Sequence, residues 1–389
     1  MPVESIPVEI LHLIFQWIHP SKLLKYKRLS SFFNTLLSDT HFARLVLRLH
    51  SNSTTSYASS PKHLSHSSST STRPTDDYKR LWLLWPDEYQ AAYASLPHIA
   101  SQPDLEWTFL GTLANPTASI PPAIQYFTNI HTLSLSGFHG IIPSEISLLK
   151  TTLKSLTMKG NSFHSSIPSC MFQLENLETL ILRNCFLKGP VSPNIGKLRK
   201  LVHVDLSMNA LSGCIPASIG RLSQLRYLDL QSNVFDGEIP VALTSCRALQ
   251  VMNLGQNKLH GRIPCEFERL QALTYFNAWS NNLSGPIPST LASLKHLKHL
   301  KLAWNQFTGP IPPAFKTLTS LIDLDVSNNL LDDTHPSNTT ESVPSFPGLM
   351  GTWAAASVND LKRSHRFGNG LWKSLAVVVG VCVVTVRFW

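Results

Sequence analysis

Charge is scarce in this chain. Of its 389 residues, 15% are Asp, Glu, Lys or Arg, against roughly 25% in ordinary soluble domains. This excludes a charge-rich disordered chain and a coiled coil. Glycine, at 18 residues, is too sparse for collagen. The six cysteines, Cys170, Cys185, Cys214, Cys246, Cys265 and Cys382, include no C-x-x-C pair, so no zinc site is expected. They are expected to be reduced thiols of an intracellular protein. The chain also lacks a G-x-S-x-G elbow, a phosphate-binding loop, an H-E-x-x-H helix and a kinase signature. His296 and His299 are three apart but have no third ligand nearby. No enzyme activity, metal or cofactor is therefore expected. Residues Met1 to Glu9 carry two acids and no base, unlike the basic start of a secretory signal. The net charge is +9, with no concentrated basic run, so no nucleic-acid partner is expected.

What is plentiful is proline, 26 residues, spread evenly together with Gly and Asn. Self-comparison explains that spread. The segment Leu201-x-x-Val204-x-Leu206-x-x-Asn209-x-Leu211-x-Gly213-x-Ile215-Pro216 recurs every 24 residues. Its Asn position falls at Asn161, Cys185, Asn209, Asn233, Asn257, Asn281, Asn305 and Asn329. An earlier, irregular copy begins at Ile130, and Ile120-Pro121 suggests a partial coil before it. The pattern resembles leucine-rich repeats, and the L-x-G-x-I-P element resembles their plant-type subclass. The expected fold is an α/β solenoid, a leucine-rich repeat horseshoe of about nine or ten coils.

Residue chemistry explains the template. Alternating Leu side chains of a short strand point inward, and stacked strands form a parallel sheet about 4.8 Å apart. Asn has both donor and acceptor groups for the backbone where the chain turns, so Asn161, Asn209, Asn233, Asn257, Asn281, Asn305 and Asn329 should form a ladder, with Cys185 a weaker rung. Gly213, Gly237, Gly261, Gly285 and Gly309 relieve the backbone, and the following prolines hold an extended path.

The variable positions around the inward Leu residues define the concave face. Aromatic residues gather in the later coils, and exposed Trp and Tyr are common anchors of binding hot spots. Tyr227, Tyr275, Trp279, His299 and Trp304 are the expected contacts for a protein target. The alternative is that these rings pack on each other or on neighbouring coils. Asp205 and Asp229 are candidates for orienting a basic ligand segment.

Residues 1–50 read as a small helical module. Pro7 lies near a first helical turn, followed by Ile10, Leu11, Ile14, Phe15 and Ile18 at helical spacing. Leu23, Leu24 and Leu29, then Phe32, Phe33, Leu36, Leu37 and Phe42, continue the apolar clusters. About 45 residues make too small a core to stand alone. The order Ile6-Pro7-x-Glu9-Ile10-Leu11, Pro20-x-x-Leu23-Leu24 and Arg28-Leu29-Ser30-x-x-Phe33 resembles an F-box; Ser31 departs from the family, where a basic residue often follows the serine. The resemblance implies a three-helix module that docks on the Skp-type adaptor of a cullin ligase core through Pro7, Ile10, Ile14, Leu23, Leu24 and Leu29. The alternative is a helical cap for the repeats.

Residues 51–77 are a Ser/Thr-rich linker, and 78–104 an aromatic-rich helical cap ahead of repeats at 105–333. Residues 334–370 form a second linker. The tail 371–389 has an apolar run, Ser374–Val386, of about 20 Å as a helix, short of the ~30 Å membrane core. With Lys373 and Arg387 snorkelling, a membrane anchor that holds the repeats on the cytosolic side is one reading, open beside a buried apolar strand and a truncated gene model.

Taken together, these features lead to the expectation of a cytoplasmic or nuclear, non-catalytic substrate receptor of a ubiquitin ligase. Its rivals are a receptor-like ligand-binding protein, for which Asn52, Asn282 and Asn338 supply glycosylation sequons, and a scaffold with no ligase link.

Overall fold

The structure, a computed structural model, describes residues 103–108 and 119–332. The F-box-like module, both linkers, nearly all of the cap and the apolar tail lie outside the described residues. By contacts the chain divides into Met1–Gly351 and Thr352–Trp389, and every described residue belongs to the first unit.

The repeats stack as a solenoid. Ten parallel strands form one sheet in chain order: Asp104–Thr108, Thr132–Ser136, Ser155–Met158, Thr179–Ile181, His203–Asp205, Tyr227–Asp229, Val251–Asn253, Tyr275–Asn277, His299–Lys301 and Asp323–Asp325. From Ser155 onward each strand pairs with residues 24 ahead, as in Tyr227↔Val251↔Tyr275↔His299↔Asp323. The irregular copy pairs Thr132 with Ser155, an interval one residue shorter. The partial coil is a full strand, Asp104–Thr108, followed by a 3-10 turn, Pro122–Tyr126.

Along Thr132–Ser136 and Ser155–Met158 the burial alternates, because successive side chains face opposite sides of a sheet; in the four strands from His203–Asp205 to Tyr275–Asn277 the closing Asp or Asn is buried as well. Leu201, Val204, Leu206 and Leu211, and their equivalents one coil on, Leu225, Leu228, Leu230 and Phe235, are all essentially inaccessible. One continuous core runs from Ile120 to Leu321. No coil can bury this face alone, so stability accumulates between neighbours.

The side away from the sheet differs from the α/β expectation. Every helix among the described residues is a 3-10 helix of five or six residues, such as Ala217–Arg221 and Ser289–Ser293. Proline sets this: Pro216, Pro240 and Pro288 occupy the N-cap with φ near −65° and extended ψ. Only eight residues then separate each proline from the first inward Leu of the next coil, and the tighter 3-10 turn suits such short pieces.

Two smaller parallel sheets were not expected. One joins Lys188–Pro190, Ala210–Cys214 and Val234–Asp236; the other joins His260–Gly261, Asn282–Pro286, Gln306–Gly309 and Leu330–Leu331. Their register is 22 rather than 24, as in Lys188↔Ala210 and Ser284↔Gln306. A two-residue slip keeps every side chain on its own face, since the side-chain period is two. The glycines of this segment, Gly213, Gly237, Gly261, Gly285 and Gly309, have φ between 72° and 86°, a region glycine enters at little cost.

Candidate protein-interaction surface

The turn after each main strand is built by the asparagine ladder. Asn233 Oδ1 accepts from the Leu211 N–H at 3.0 Å in the preceding coil. Its Nδ2 donates to the Leu206, Leu230 and Gln231 carbonyls at 3.0, 3.1 and 3.3 Å. Asn257, Asn281, Asn305 and Asn329 repeat this set. Asn161 holds Phe138 N–H and Leu135 C=O of the irregular copy instead. The residue before each rung is left-handed, including Met208, Ser232 and Trp304 with φ of 56–57°.

Cys185 completes its rung by a different route. Its Sγ donates to the Met158 carbonyl at 2.8 Å, the same position that an Asn amide would reach. Lacking a side-chain acceptor of that strength, it leaves Phe163 N–H to its own backbone carbonyl, at 3.1 Å. The chain makes that turn by placing Phe186 at φ 52°. Asn209 Oδ1 then accepts from both Cys185 and Leu187 N–H, each at 3.0 Å. All five cysteines of the described region are free thiols, and burial pushes the Cys246 thiol up to about 11.

On the solvent face of the ten-stranded sheet, His203, Tyr227, Val251, Tyr275, His299 and Asp323 form one register column. His203 and Tyr227 stack with centroids 4.2 Å apart and planes at 15°. Tyr275 and His299 meet at 5.9 Å in a tilted pair. His299 Nδ1 and Lys301 Nζ both approach Asp323 Oδ2, at 3.8 and 2.5 Å. Three expected contacts, Tyr227, Tyr275 and His299, therefore share one column, each half-buried. His203 joins them; its signal was its place one coil before Tyr227.

The two tryptophans part company. Trp279 lies over Gly255 of the preceding coil, where an added Cβ would come within 2.6 Å of its Cδ1. The neighbouring-coil alternative holds for it, and glycine is needed beneath the ring. Trp304 has no such seat and is 60% exposed.

Asp205 and Asp229 are not free to meet a ligand. They are 5% and 4% exposed, and each closes a turn of its own backbone. Asp205 Oδ1 accepts from Ser207 N–H and Oγ–H. Asp229 Oδ1 accepts from Gln231 N–H at 2.9 Å, and its Oδ2 from the Tyr227 hydroxyl at 3.2 Å. Asn277 does the same for Trp279 N–H at 3.0 Å, so this column is a second turn-forming ladder. Sequence reasoning missed it, although the recurrence of Asp or Asn at one repeat position was its signal. Burial, then the neighbouring Asp205 charge, raises the Asp229 carboxyl above its ordinary range. Burial and Asp229 push the Tyr227 hydroxyl up to about 12, and burial lowers the His203 imidazole.

The family model described as Leucine Rich Repeat matches residues 176–198, 200–222, 224–246, 272–294 and 296–318. These segments are leucine-rich repeats. Among solved structures, the chain is similar to a TDR receptor at 32% identity and a TM-score of 0.59, over 63% of this chain and 42% of that one. It is similar to the plant peptide hormone receptor RGFR1, solved in complex with RGF2, at 33% identity and a TM-score of 0.54, over 55% of this chain and 34% of that one. A curated relative is an adenylate cyclase of Schizosaccharomyces pombe, 35% identical over 103 residues, which are 26% of this chain and 6% of the cyclase. The chain thus spans under half the length of each, and the leucine-rich repeat is the common ground for comparing this fold with the two receptors. Among the described residues, no cluster of His, Cys, Asp and Glu has metal-binding geometry, and no helix is long and apolar enough to cross a membrane.

Proposed function

We propose that this chain is a non-catalytic protein-binding receptor that seats an extended segment of a partner protein across the column Tyr227, Tyr275 and His299, with Trp304 as the outer anchor. The observation that carries this reading is the exposure of Trp304, on the turn that follows the strand bearing His299, together with the half-buried aromatic column. The core is already complete without these rings, and aromatic anchors of this kind dominate binding energies. The receptor-like neighbours, one of them solved with its peptide hormone, support a ligand-binding role for the repeats.

The finer form of the proposal is a substrate receptor of a cullin ligase acting in the cytoplasm or nucleus. It rests on the F-box-like spacing of Pro7, Ile10, Ile14, Leu23, Leu24 and Leu29. The test is a pull-down with a purified Skp-type adaptor, comparing the whole chain with one starting at residue 51. Retention of the whole chain alone supports the ligase reading, and equal recovery or none in either ends it. Partner capture by the repeats is tested separately with Trp304→Ala, which should lose captured protein.

A second reading, a ligand-binding protein of the receptor type, is favoured by one observation: Asn282 of the Asn282–Leu283–Ser284 sequon is exposed. A glycan on Asn282, seen as an amidase-sensitive mass shift in protein from a eukaryotic host, would favour it over the ligase.

A further inference from the structure

The charge that looked dispersed along the chain is gathered on one edge of the solenoid. Residues 105–333 contain eighteen lysines and arginines. Nine of them, Lys197, Arg199, Lys200, Arg221, Arg226, Arg247, Arg269, Lys295 and Lys298, lie in five successive coils on the segment that leads from each 3-10 helix into the next strand. All nine are exposed; between each of these helices and the strand that follows there is no Asp or Glu, and the helices themselves hold two acids, Glu266 and Glu268, in the helix that Arg269 ends. The backbone binds this edge into one column: Arg226 N–H donates to Val202, Gln250 to Arg226, Thr274 to Gln250 and Lys298 to Thr274, each at 2.8 Å. With about 4.8 Å per coil, the five rows span roughly 20 Å.

No carboxylate of the described residues neutralises these cations. Among the described residues, none of the nine has a carboxylate within 4.0 Å; the ion pairs there are those of Arg183, His299 and Lys301. Lys200 donates to Asn176 Oδ1, and Lys295 to Ala292 C=O and Thr317 Oγ1. An unneutralised row of like charges repels itself and lowers stability, so an external anion is what the row lacks. The opposite edge contrasts with it: Lys188, Asp236, Glu238, Lys258 and Arg262 mix both signs.

A groove of about 610 Å³ opens within the row, lined by Arg247, Gln250, Gln271, Thr274, His296 and Lys298 among others. Arg247 and Lys298 are cations of its wall, and Gln250 and Gln271 offer neutral donors and acceptors, although the Gln271 amide also donates to the Glu268 carbonyl; the Thr274 hydroxyl donates to the Gln250 carbonyl at 2.9 Å and offers its oxygen as an acceptor.

We propose that this edge binds an acidic polypeptide segment, its carboxylate or phosphorylated side chains meeting the flanking cations and its backbone meeting the two glutamines and the threonine. The five rows match about six extended residues, at 3.3 Å each. Single-stranded nucleic acid fits less well, because base stacking uses aromatic rings and these segments contain no Phe, Tyr or Trp. A duplex would need phosphate contacts throughout, where the groove lining is largely neutral. A membrane surface would leave the groove unfilled.

The edge is separate from the aromatic column, so a failure here leaves the proposed receptor function standing. The test uses the full chain and a fluorescein-labelled eight-residue peptide of alternating Glu and Gly, read by anisotropy at 50 and 200 mM salt. The affinity should fall at least tenfold in Arg247→Glu/Lys298→Glu and fall with salt, since exposed charges are screened. It should stay within twofold in Lys258→Glu/Arg262→Glu on the other edge. Arg226→Gln/Arg247→Gln, which removes charge without reversing it, should weaken binding several-fold, and circular dichroism should show all variants folded. The proposal is overturned if the parent fails to bind, if both double reversals lose affinity equally, or if a 16-base-pair duplex or phosphatidylserine vesicles displace the peptide at equal charge concentration.

Discussion

Replacing Asn233 by Ala should cost about 2–4 kcal/mol of unfolding free energy, and the ladder geometry shows where that figure arises. Asn233 is 7% exposed and makes four hydrogen bonds. Its three acceptors are shared. Leu206 C=O also takes the Asn209 amide, Leu230 C=O the Asn257 amide, and Gln231 C=O the Met208 N–H. Each therefore keeps a partner in the variant. The Leu211 N–H is buried and held by Asn233 Oδ1, and it becomes an orphan. One orphaned buried donor costs about 1–3 kcal/mol, and the lost amide contacts add about 1 kcal/mol more. Asn233→Cys provides the sharper comparison. A thiol can donate to Leu206 C=O as Cys185 does to Met158 C=O. At the natural rung, however, the acceptor role passes to the Cys185 carbonyl while Phe186 adopts a left-handed φ. The residue after position 233 is Val234, and a β-branched residue resists that conformation. Asn233→Cys should therefore lose at least half as much as Asn233→Ala. Urea unfolding followed by far-ultraviolet circular dichroism measures both. A loss below about 1 kcal/mol for Ala, or a neutral Cys variant, would refute the reasoning.

Trp304→Ala should leave the urea midpoint nearly unchanged, within about 0.5 kcal/mol, while Trp279→Ala should cost about 1 kcal/mol or more through lost packing on Gly255; equal effects would contradict the placement of the two rings. Asp229→Asn should be tolerated at pH 7, because Asn253 and Asn277 already fill the equivalent position. The parent carboxyl has its folded pKa raised above the unfolded value, so the folded state holds the proton more tightly and charging Asp229 weakens the fold as pH rises. The advantage of the variant over its parent should thus shrink as pH falls toward the carboxylate range, and an advantage that grows on acidification would refute this. Iodoacetamide at pH 8 should label the exposed Cys214 and Cys265 well before the buried Cys185 and Cys246, as peptide mass mapping would read; fast labelling of Cys185 would count against its bond to Met158 C=O.

The 24-residue period was legible because each coil repeats the same burial problem. Inward Leu and Ile, one Asn to close the turn, one Gly for positive φ and one Pro for the extended entry all recur at fixed offsets. This chemistry is local, so the ladder and the stacked coils followed from residue types alone, and it explains the opening shortage of charge; the strand Asp104–Thr108 and the two smaller sheets did not follow. The 22-residue register of the two smaller sheets depends on how far one coil slides past the next. No single repeat contains that information. Asp205 and Asp229 misled for a related reason: a polar residue beside a strand reads as a ligand contact until its own backbone is seen to turn back onto it. The two tryptophans, alike in composition, were separated only by Gly255, which gives one of them a seat.

The 24-residue repeat, its core positions and its ladder were therefore determined by the sequence itself, because each rests on contacts between residues at fixed spacings. The basic edge was decided only in three dimensions. Its nine cations are spread from Lys197 to Lys298 and form no run along the chain. Stacking at about 4.8 Å per coil brings residues roughly 24 apart into contact range, so a charge that is dilute along the sequence becomes dense on one side of the fold.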